Sequence, residues 1–237
     1  MWTERTEMLL GPDALGRLGS SHAVVVGLGG VGAYAAEMLV RSGLGKITII
    51  DSDEVSETNI NRQLIALRST MGRKKTEVLR ERLLDINPQL KLTAIDGYVH
   101  EDSMEKILGP LEPDVIIDAI DTLSPKIALI QYALSKGIWL VSSMGAGAKT
   151  DATAVRVADI SKTYQCPLAH ALRKRLHRLG INEGFQAVFS TELPRRDSVV
   201  IEESRNKKSQ VGTISYLPAV FGCICAQAAI CHITGIE

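Results

Sequence analysis

An α/β fold, in which a doubly wound and mostly parallel sheet carries helices on both faces, is predicted by three features of this sequence. Apolar strands alternate with helical segments as far as residue 150, and such alternation is typical of parallel sheets. The strands are near-continuous runs of Val, Ile and Leu, as expected for strands buried on both faces. The first strand runs into a glycine-rich turn and a helix, which is a Rossmann-like arrangement.

The elements of this alternating core follow directly from periodicity and turn residues. The predicted helices cover Gly11–Leu18, Ala33–Arg41, Gly72–Asn87, Asp102–Leu108 and Ser124 to about Lys136, and the predicted strands cover His22–Val26, Lys46–Ile50, Leu90–Ile95, Asp114–Ala119 and Trp139–Ser143. Pro125, directly after Ser124, suits the first position of the fifth helix.

The pattern changes after Gly147, so we expect a single domain over residues 1–237 with two parts. Residues 1–150 form the alternating core, and residues 151–237 form an antiparallel C-terminal elaboration. The elaboration is predicted to contain strands Val155–Val157 and Gln186–Ser190, a basic helix over Pro167–Leu179, a polar mobile loop over Leu193–Gln210 and an apolar helix within Ile214–Ile236. Because Pro218, Gln227 and His232 interrupt that last segment, we expect a buried helix and no membrane span.

Composition excludes some classes of protein. The 237 residues include 27 basic and 27 acidic residues, so a strongly basic nucleic-acid-binding chain is excluded, whereas a local basic patch is not. The four cysteines form no Cys-x-x-Cys pair, which argues against a structural zinc site and a secreted disulfide framework. Cys223 and Cys225 are expected to be buried on the late helix. Glu4, Arg5 and Glu7 interrupt the first ten residues, so no signal peptide is visible and a cytoplasmic protein is expected.

The glycine turn is the candidate phosphate site. Its glycines are Gly27, Gly29, Gly30 and Gly32, and their spacing fits the Gly-x-Gly-x-x-Gly pattern. Glycine lets backbone N–H groups approach a phosphate, and the positive end of the following helix points to the same place. The motif alone does not choose between ATP and NAD.

Polar residues that follow the turn favour ATP. Asp51 ends the second strand, at the spacing where an acid binds a ribose hydroxyl. Arg62 follows a polar connector, and an Arg near a phosphate loop can neutralise charge on phosphate oxygens. Lys74 and Lys75 lie near the start of a predicted helix, where a basic residue opposes the helix dipole, so a phosphate would explain their presence.

Two acids flank the end of the fourth predicted strand, where ligands of open parallel sheets bind. Asp118 and Asp121 occupy these positions, and a carboxylate beside phosphates suits Mg²⁺. The sequence contains no obvious hydride-transfer residue. This counts against an NAD-binding oxidoreductase or redox-sensing module, which is the alternative from a different class of protein.

In their order and spacing, these residues resemble the adenylation domain of the bacterial ubiquitin-activating-enzyme-like superfamily. The matching motifs, over about residues 5–150, are Gly27-Leu-Gly-Gly-Val-Gly32, Asp51, Asn59-Ile-Asn-Arg-Gln63, Lys75 and Asp121. The resemblance implies a homodimer that binds ATP and Mg²⁺ and forms an acyl-adenylate, with Arg62, Lys75 and Asp121 as the catalytic residues. By this resemblance Asp51 binds the ribose, Asp121 binds Mg²⁺, and Arg5 reaches the ATP of the partner subunit. The residues that contact the nucleotide are Asn59, Arg62, Gln63 and Lys75.

A narrower resemblance, to the tRNA threonylcarbamoyladenosine dehydratase family, rests on further motifs. They include Arg5-Thr-Glu7, Asp118-Ala-Ile-Asp-Thr122, Pro125-Lys126, Met144-Gly-Ala-Gly147 and Gly212-Thr-Ile-Ser215. This resemblance implies ATP-dependent dehydration of threonylcarbamoyladenosine in tRNA, in which the activated carboxylate is captured from within the same side chain. It also implies a K⁺ or Na⁺ ion near the ATP site. The cysteine that some members carry shortly before Gly212 is absent here, since residues 207–211 read Lys-Lys-Ser-Gln-Val.

An alternative remains within the adenylating enzymes. Members that activate the C-terminus of a sulfur-carrier or ubiquitin-like protein carry two Cys-x-x-Cys zinc pairs, and this sequence has none. The absent pairs count against that alternative. Whether a sulfur-transfer protein is a partner is left open.

A basic stretch late in the chain suits a tRNA substrate. Residues 161–210 contain ten basic and five acidic side chains, and such a patch is typical of a surface that contacts a phosphate backbone. The predicted tRNA-binding residues are Arg173, Lys174, Arg175 and Arg178 on the basic helix. A solvated helix face is the alternative.

Overall fold

The computed structural model describes residues 1–200 and 210–236, and its main feature is a seven-stranded sheet. The strands are β1 (His22–Val26), β2 (Lys46–Asp51), β3 (Lys91–Asp96), β4 (Val115–Asp118), β5 (Trp139–Ser143), β6 (Val155–Asp159) and β7 (Gln186–Ser190). Their spatial order is β3-β2-β1-β4-β5-β7-β6, and all neighbours are parallel except β6 and β7, which are antiparallel.

The order of the strands reverses beside β1. This strand pairs with β2 on one side, His22 opposite Lys46, and with β4 on the other, Ala23 opposite Val115. Strands β2 and β3 therefore lie on one side of β1, and the later strands lie on the other. Ligands of open α/β sheets bind outside the carboxyl ends of the strands at such a reversal of strand order. We call this side of the sheet, where the parallel strands β1, β2, β3, β4, β5 and β7 end, the carboxyl edge.

Helices cover both faces of the sheet, and the predicted fold class is confirmed. They are α1 (Glu4–Leu10), α2 (Pro12–Ser20), α3 (Gly32–Arg41), α4 (Lys75–Ile86), α5 (Met104–Leu108), α6 (Leu123–Ser135), α7 (Pro167–His177) and α8 (Tyr216–Thr234). One buried core joins α3, α4 and α8 to one face, and a second joins α5, α6 and α7 to the other. Val25 belongs to the first core and Val24 to the second, because neighbouring strand residues point to opposite faces.

Some helix boundaries differ from the prediction for local reasons. The helix predicted from Gly72 begins at Lys75 instead, because Gly72 has a φ of 75° and Lys74 forms an isolated bridge with Glu54. The helix predicted from Ser124 begins at Leu123, with Pro125 in its first turn, where a proline is tolerated. Helix α1 was not predicted.

The C-terminal elaboration extends the same sheet. Both segments are strands, as predicted, and β6 lies antiparallel beside β7 at the side of the sheet, whereas β7 itself is parallel to β5. Residues 201–209 of the loop predicted over Leu193–Gln210 lie outside the described residues. On either side of them, β8 (Val199–Val200) pairs with β9 (Gln210–Val211).

Helix α8 packs along α3, and the predicted burial of the late apolar segment holds for one face of the helix. By length and composition it is the one helix among the described residues that could cross a membrane, and 44% of its apolar window is buried. Leu217, Phe221 and Cys225, each one helical turn apart, are fully buried. Cys223 is exposed, contrary to expectation, because residues two apart lie on nearly opposite sides of a helix.

Replacing Gly222 by Ala is expected to lower the free energy of unfolding by about 1–3 kcal/mol through overpacking. A Cβ at this position would lie 2.4 Å from the carbonyl oxygen of Val31, and backbone of that kind cannot move aside cheaply. Urea denaturation measures the change. The matched control is Gly16→Ala in α2, where no atom lies within 4 Å of the added Cβ and a gain of about 0.5–1 kcal/mol is expected. Equal effects of the two changes would contradict the close packing of α8 on α3.

Candidate nucleotide-binding site

The glycine turn is too closely packed to accept side chains at two of its positions. Gly27 has a φ of 89°, and an added Cβ would lie 2.7 Å from the carbonyl oxygen of Ala119. A Cβ on Gly32 would lie 1.8 Å from the carbonyl oxygen of Gly27. The turn is therefore folded onto itself, and α3 begins at the carboxyl edge. Free N–H groups at the start of such a helix form an anion-binding site.

Asp51 links the end of β2 to the glycine turn. Its Oδ2 accepts a hydrogen bond of 2.6 Å from the backbone N–H of Leu28, and its Oδ1 accepts one of 2.8 Å from that of Asp53. Burial raises the pKa of the Asp51 carboxyl, although Lys75 and the two N–H groups act in the opposite direction. The carboxylate lies where a ribose would be bound in a Rossmann-like crevice.

Lys75 lies beside this carboxylate, but Lys74 does not. The Nζ of Lys75 is 2.8 Å from Asp53 Oδ2 and 3.9 Å from Asp51 Oδ1, and its side chain is buried. An ammonium group has three donors, so Lys75 can also contact a phosphate. Lys74 forms ion pairs with Glu54 and Asp96. These two acids explain why a basic residue is tolerated at the start of this helix, so no phosphate is needed to explain Lys74.

The connector between β2 and α4 places Arg62 against the glycine turn. The carbonyl oxygen of Arg62 would lie 3.4 Å from a Cβ on Gly30. Its guanidinium donates to the carbonyl oxygen of Thr58 and to Asn61 Oδ1, at 2.7 and 2.8 Å. Asn59 is buried, and its Oδ1 accepts from the backbone N–H of Ser56. Asn59 therefore shapes the connector that carries Arg62.

Gln63 contains an unsatisfied polar atom that faces this region. Its side chain is buried, and its Nε2 would lie 3.7 Å from a Cβ on Gly29. Among the described residues, Oε1 of Gln63 is the one buried side-chain oxygen or nitrogen with no hydrogen-bond partner. Leaving a buried acceptor unsatisfied costs about 1–3 kcal/mol. A ligand with hydroxyl or amino donors, such as a nucleotide, fits this position.

The two acids after β4 have different surroundings. Asp118 is fully buried and forms an ion pair with Lys126, so it is not available to a metal ion. Asp121 is exposed at the carboxyl edge. The described residues contain no group of three or more His, Cys, Asp or Glu side chains that could hold a metal ion. A divalent cation would therefore take most of its ligands from phosphate oxygens and water, with Asp121 as the protein ligand, and Mg²⁺ is commonly held in this way.

The remaining predicted residues lie away from the glycine turn or on exposed surface. Arg5 is exposed on α1, and Lys174, Arg175 and Arg178 are exposed at the end of α7. Arg173 is half-buried, and its guanidinium donates to Thr163. Helix α7 begins at the carboxyl edge and the exposed basic residues come late in it, so the helical rise places them about 10–15 Å further along its axis.

Lys126 belongs to the Pro125-Lys126 motif, and the sequence predicts no role for it. It is the one charged residue of α6, and a single lysine in an otherwise uncharged and largely buried helix indicates a buried ion pair. Its partner could not be read from the sequence, because Asp118 reaches it through the tertiary fold.

Comparison with known proteins agrees with this geometry. The ThiF family model matches residues 3–237. The tRNA threonylcarbamoyladenosine dehydratase of Bacillus subtilis is 40% identical, with 93% of this chain and 89% of that protein covered. A crystal structure of the Escherichia coli tRNA N6-threonylcarbamoyladenosine dehydratase in complex with ATP has a TM-score of 0.90 and 37% identity, covering 98% of this chain and 93% of that one. The same enzyme in complex with AMP has a TM-score of 0.88 over the same shares and at the same identity.

An adenylyltransferase matches less of the chain. The molybdopterin-synthase adenylyltransferase of Escherichia coli is 28% identical over 65% of this chain and 61% of that protein. The resemblance stated from the motifs is thus confirmed at the level of the family. The chain belongs to the ThiF family and, within it, to the tRNA threonylcarbamoyladenosine dehydratases.

Proposed function

We propose that this protein uses ATP to dehydrate threonylcarbamoyladenosine in tRNA. One observation carries the proposal: the glycine turn, the unsatisfied Gln63 and the buried Lys75 converge at the carboxyl edge, in a chain that matches dehydratases over about nine-tenths of both lengths. ATP is the nucleotide in a similar structure, so an NAD-dependent activity is not favoured. Activation of a sulfur-carrier protein is disfavoured by the shorter match to such enzymes.

The reaction needs two substitutions. A carboxylate oxygen of the substrate attacks the α-phosphorus of ATP, and pyrophosphate leaves with the electron pair of the broken bond. A nucleophile in the same side chain then attacks the activated carbonyl carbon, AMP leaves, and a ring closes. One water is lost from the substrate overall, and its oxygen departs in AMP.

The chain's own residues would bind ATP and stabilise charge during the first substitution. We assign the ribose to Asp51 and the phosphates to Arg62 and Lys75, whose positive charges would stabilise the leaving pyrophosphate. Asp121 would hold Mg²⁺, which neutralises phosphate charge when bound. Gln63 would accept a hydrogen bond from the nucleotide. A K⁺ or Na⁺ ion remains an expectation from the family resemblance alone, and a cytoplasmic location suits an enzyme that uses ATP and tRNA.

Helix α7 is the proposed contact surface for tRNA. Lys174, Arg175 and Arg178 are exposed on it, and the groove beside them is also lined by His170 and His177. These side chains can bind backbone phosphates without reading a base. Arg173 would tie α7 to the preceding segment at Thr163 and so act less directly than its neighbours.

A homodimer would complete the ATP site. Arg5 lies on α1, a helix whose Met8 and Leu9 are 81% and 83% exposed. Two such apolar side chains on one short helix suit a surface that a second copy covers. In that arrangement, Arg5 of one subunit would reach the ATP of its partner.

Incubation with ATP and tRNA that carries the open modification is expected to yield AMP, pyrophosphate and tRNA lighter by one water. Chromatography measures AMP, and mass spectrometry of the digested tRNA measures the modified nucleoside. Unmodified tRNA is the control and should give neither product. AMP without the mass change, or AMP formed only after addition of a sulfur-carrier protein, would contradict the proposed reaction.

Active-site complementation is expected to place Arg5 in the partner's site. Arg5→Ala and Asp121→Ala should each lower turnover by at least about 100-fold, because each removes a contact to the reacting phosphates. A heterodimer of these two variants, isolated with two affinity tags, retains one intact site if Arg5 acts in the partner. It should therefore recover about half of the wild-type turnover.

The reciprocal heterodimer is the control. A wild-type subunit paired with an Arg5→Ala/Asp121→Ala double variant contains no intact site if Arg5 acts in the partner, and one if it acts within its own subunit. Activity of this heterodimer, with none in the first one, would show that the assignment of Arg5 is wrong.

Charge reversal on α7 is expected to weaken tRNA binding and leave ATP binding unchanged. In the Arg175→Glu/Arg178→Glu variant, the plot of log association constant for tRNA against log salt concentration should become less steep by about 1.5–2. Each lost phosphate contact reduces the magnitude of this slope by slightly less than one. Arg80→Glu/Lys91→Glu is the control, since it changes the same charge on α4 and β3, and β3 is the outermost strand on the side of the sheet away from β7. Equal losses in both variants would indicate a general charge effect, and tRNA binding would then not depend on α7.

A further inference from the structure

A buried cluster of one ion pair and one hydroxyl lies beneath the carboxyl edge. Lys126 Nζ is 2.6 Å from Asp118 Oδ2, and the Ser142 hydroxyl donates to the same oxygen at 2.6 Å. Lys126 Nζ also donates to Ser142 Oγ at 3.1 Å. All three residues are 0% exposed. The cluster joins the ends of β4 and β5 to the first turns of α6.

Stability alone does not explain these charges. A buried ion pair loses the hydration of both ions, and apolar residues of similar volume are often as stabilising or more so. The cluster lies near the fully buried Cys225 of α8, and burial raises the pKa of that thiol. A carboxylate that is fixed at this depth therefore suggests a role in placing other groups.

The second oxygen of Asp118 holds the turn that leads to Asp121. Oδ1 accepts a hydrogen bond of 3.0 Å from the backbone N–H of Ile120. The preceding residue, Ala119, donates its N–H to the carbonyl oxygen of Val26 at 2.9 Å, and its own carbonyl oxygen closes the space beside Gly27. The turn over 119–121 is thus held between the glycine turn and the Asp118 carboxylate.

Orientation of that carboxylate depends on the cluster. With Oδ2 held by two donors, the carboxylate cannot rotate, and Oδ1 therefore keeps its place under Ile120. Loss of either donor would let the group turn and release the N–H of Ile120. Asp121 follows Ile120 directly, so its position would become less well defined.

We propose that Lys126 and Ser142 are positioning residues that act through Asp118 to aim Asp121 at the metal and phosphates. This inference rests on the proposed function, because it assigns the metal contact to Asp121. Hydrogen-bond partners behind a metal ligand commonly contribute 10- to 100-fold, roughly, to metal affinity or activity.

Two substitutions of different severity test the inference. Ser142→Ala removes one of the two donors to Oδ2 and keeps the ion pair. Lys126→Met removes the charge and keeps most of the side-chain volume, at the risk of leaving Asp118 unpaired. Ser143→Ala is the matched control, since Ser143 is the next residue of β5, is also buried, and donates to the carbonyl oxygen of Met144 instead.

Folding, nucleotide binding and metal binding are measured separately. Thermal melts measure folding. The affinity for AMP in the absence of metal measures the nucleotide contacts. Electron paramagnetic resonance of Mn²⁺ in the presence of ATP measures metal binding. For Ser142→Ala we expect wild-type affinity for AMP, about 10-fold weaker Mn²⁺ binding in the presence of ATP, and kcat lower by about 10-fold or more, with little change in KM for ATP. Ser143→Ala should match the wild type in all of these measurements.

The outcomes separate this inference from the proposed function. Wild-type Mn²⁺ affinity and kcat in a folded Ser142→Ala variant would overturn the inference, as would an equal loss of AMP and Mn²⁺ binding, which indicates a merely structural role. If Lys126→Met does not fold, Ser142→Ala decides. Failure of the wild-type protein to form AMP from ATP in the presence of modified tRNA would instead overturn the proposed function.

Discussion

The close approach of Gly32 to the carbonyl oxygen of Gly27, where a Cβ would lie only 1.8 Å away, is the constraint on which the site depends. It allows a turn of only five residues to join β1 to α3, so that the first N–H groups of the helix open onto the carboxyl edge. The same turn packs against Ala119, which follows β4. The strand order reverses between β1 and β4, and a ligand crevice is expected there. The contact between the glycine turn and Ala119 therefore places the phosphate site beside that crevice.

The strands were predicted more accurately than the helix starts, for a physical reason. Strands β1, β5 and β7 have the predicted bounds, because each contains a short run of buried apolar residues that identifies a strand from neighbouring positions alone. The start of α4 depends on a bridge between Glu54 and Lys74, which are twenty positions apart in sequence. No local pattern contains that information.

Helix α1 shows another limit of sequence patterns. None of its residues is buried, and its large apolar side chains Met8 and Leu9 are exposed. A helix of this kind lacks the apolar stripe that identifies a surface helix of a single chain. The second subunit proposed above would cover these side chains, and it was inferred from Arg5 by resemblance and not from periodicity.

Motif spacing identified the residues of the candidate site, whereas their partners came from the fold. Asp51, Lys75 and Gln63 lie together beside the glycine turn, as their motifs indicated. The sequence did not separate Lys74 from Lys75, because the difference is set by Asp96 and Asp53, which lie on other segments. Asp118 and Asp121 were similarly alike in the sequence, and burial of Asp118 against Lys126 distinguishes them.

Two buried lysines in this structure illustrate how exposure of the partner decides what an ion pair can do. Lys75 pairs with Asp53, whose side chain is 68% exposed. If the Lys75 ammonium group binds a phosphate instead, water can solvate the Asp53 carboxylate, so losing this ion pair costs little free energy. Lys126 pairs with Asp118, whose side chain is 0% exposed, and separating them would leave a buried charge without a partner. The first lysine is therefore suited to bind and release a ligand. The second can only maintain a fixed geometry, and the geometry that it maintains includes the turn before Asp121.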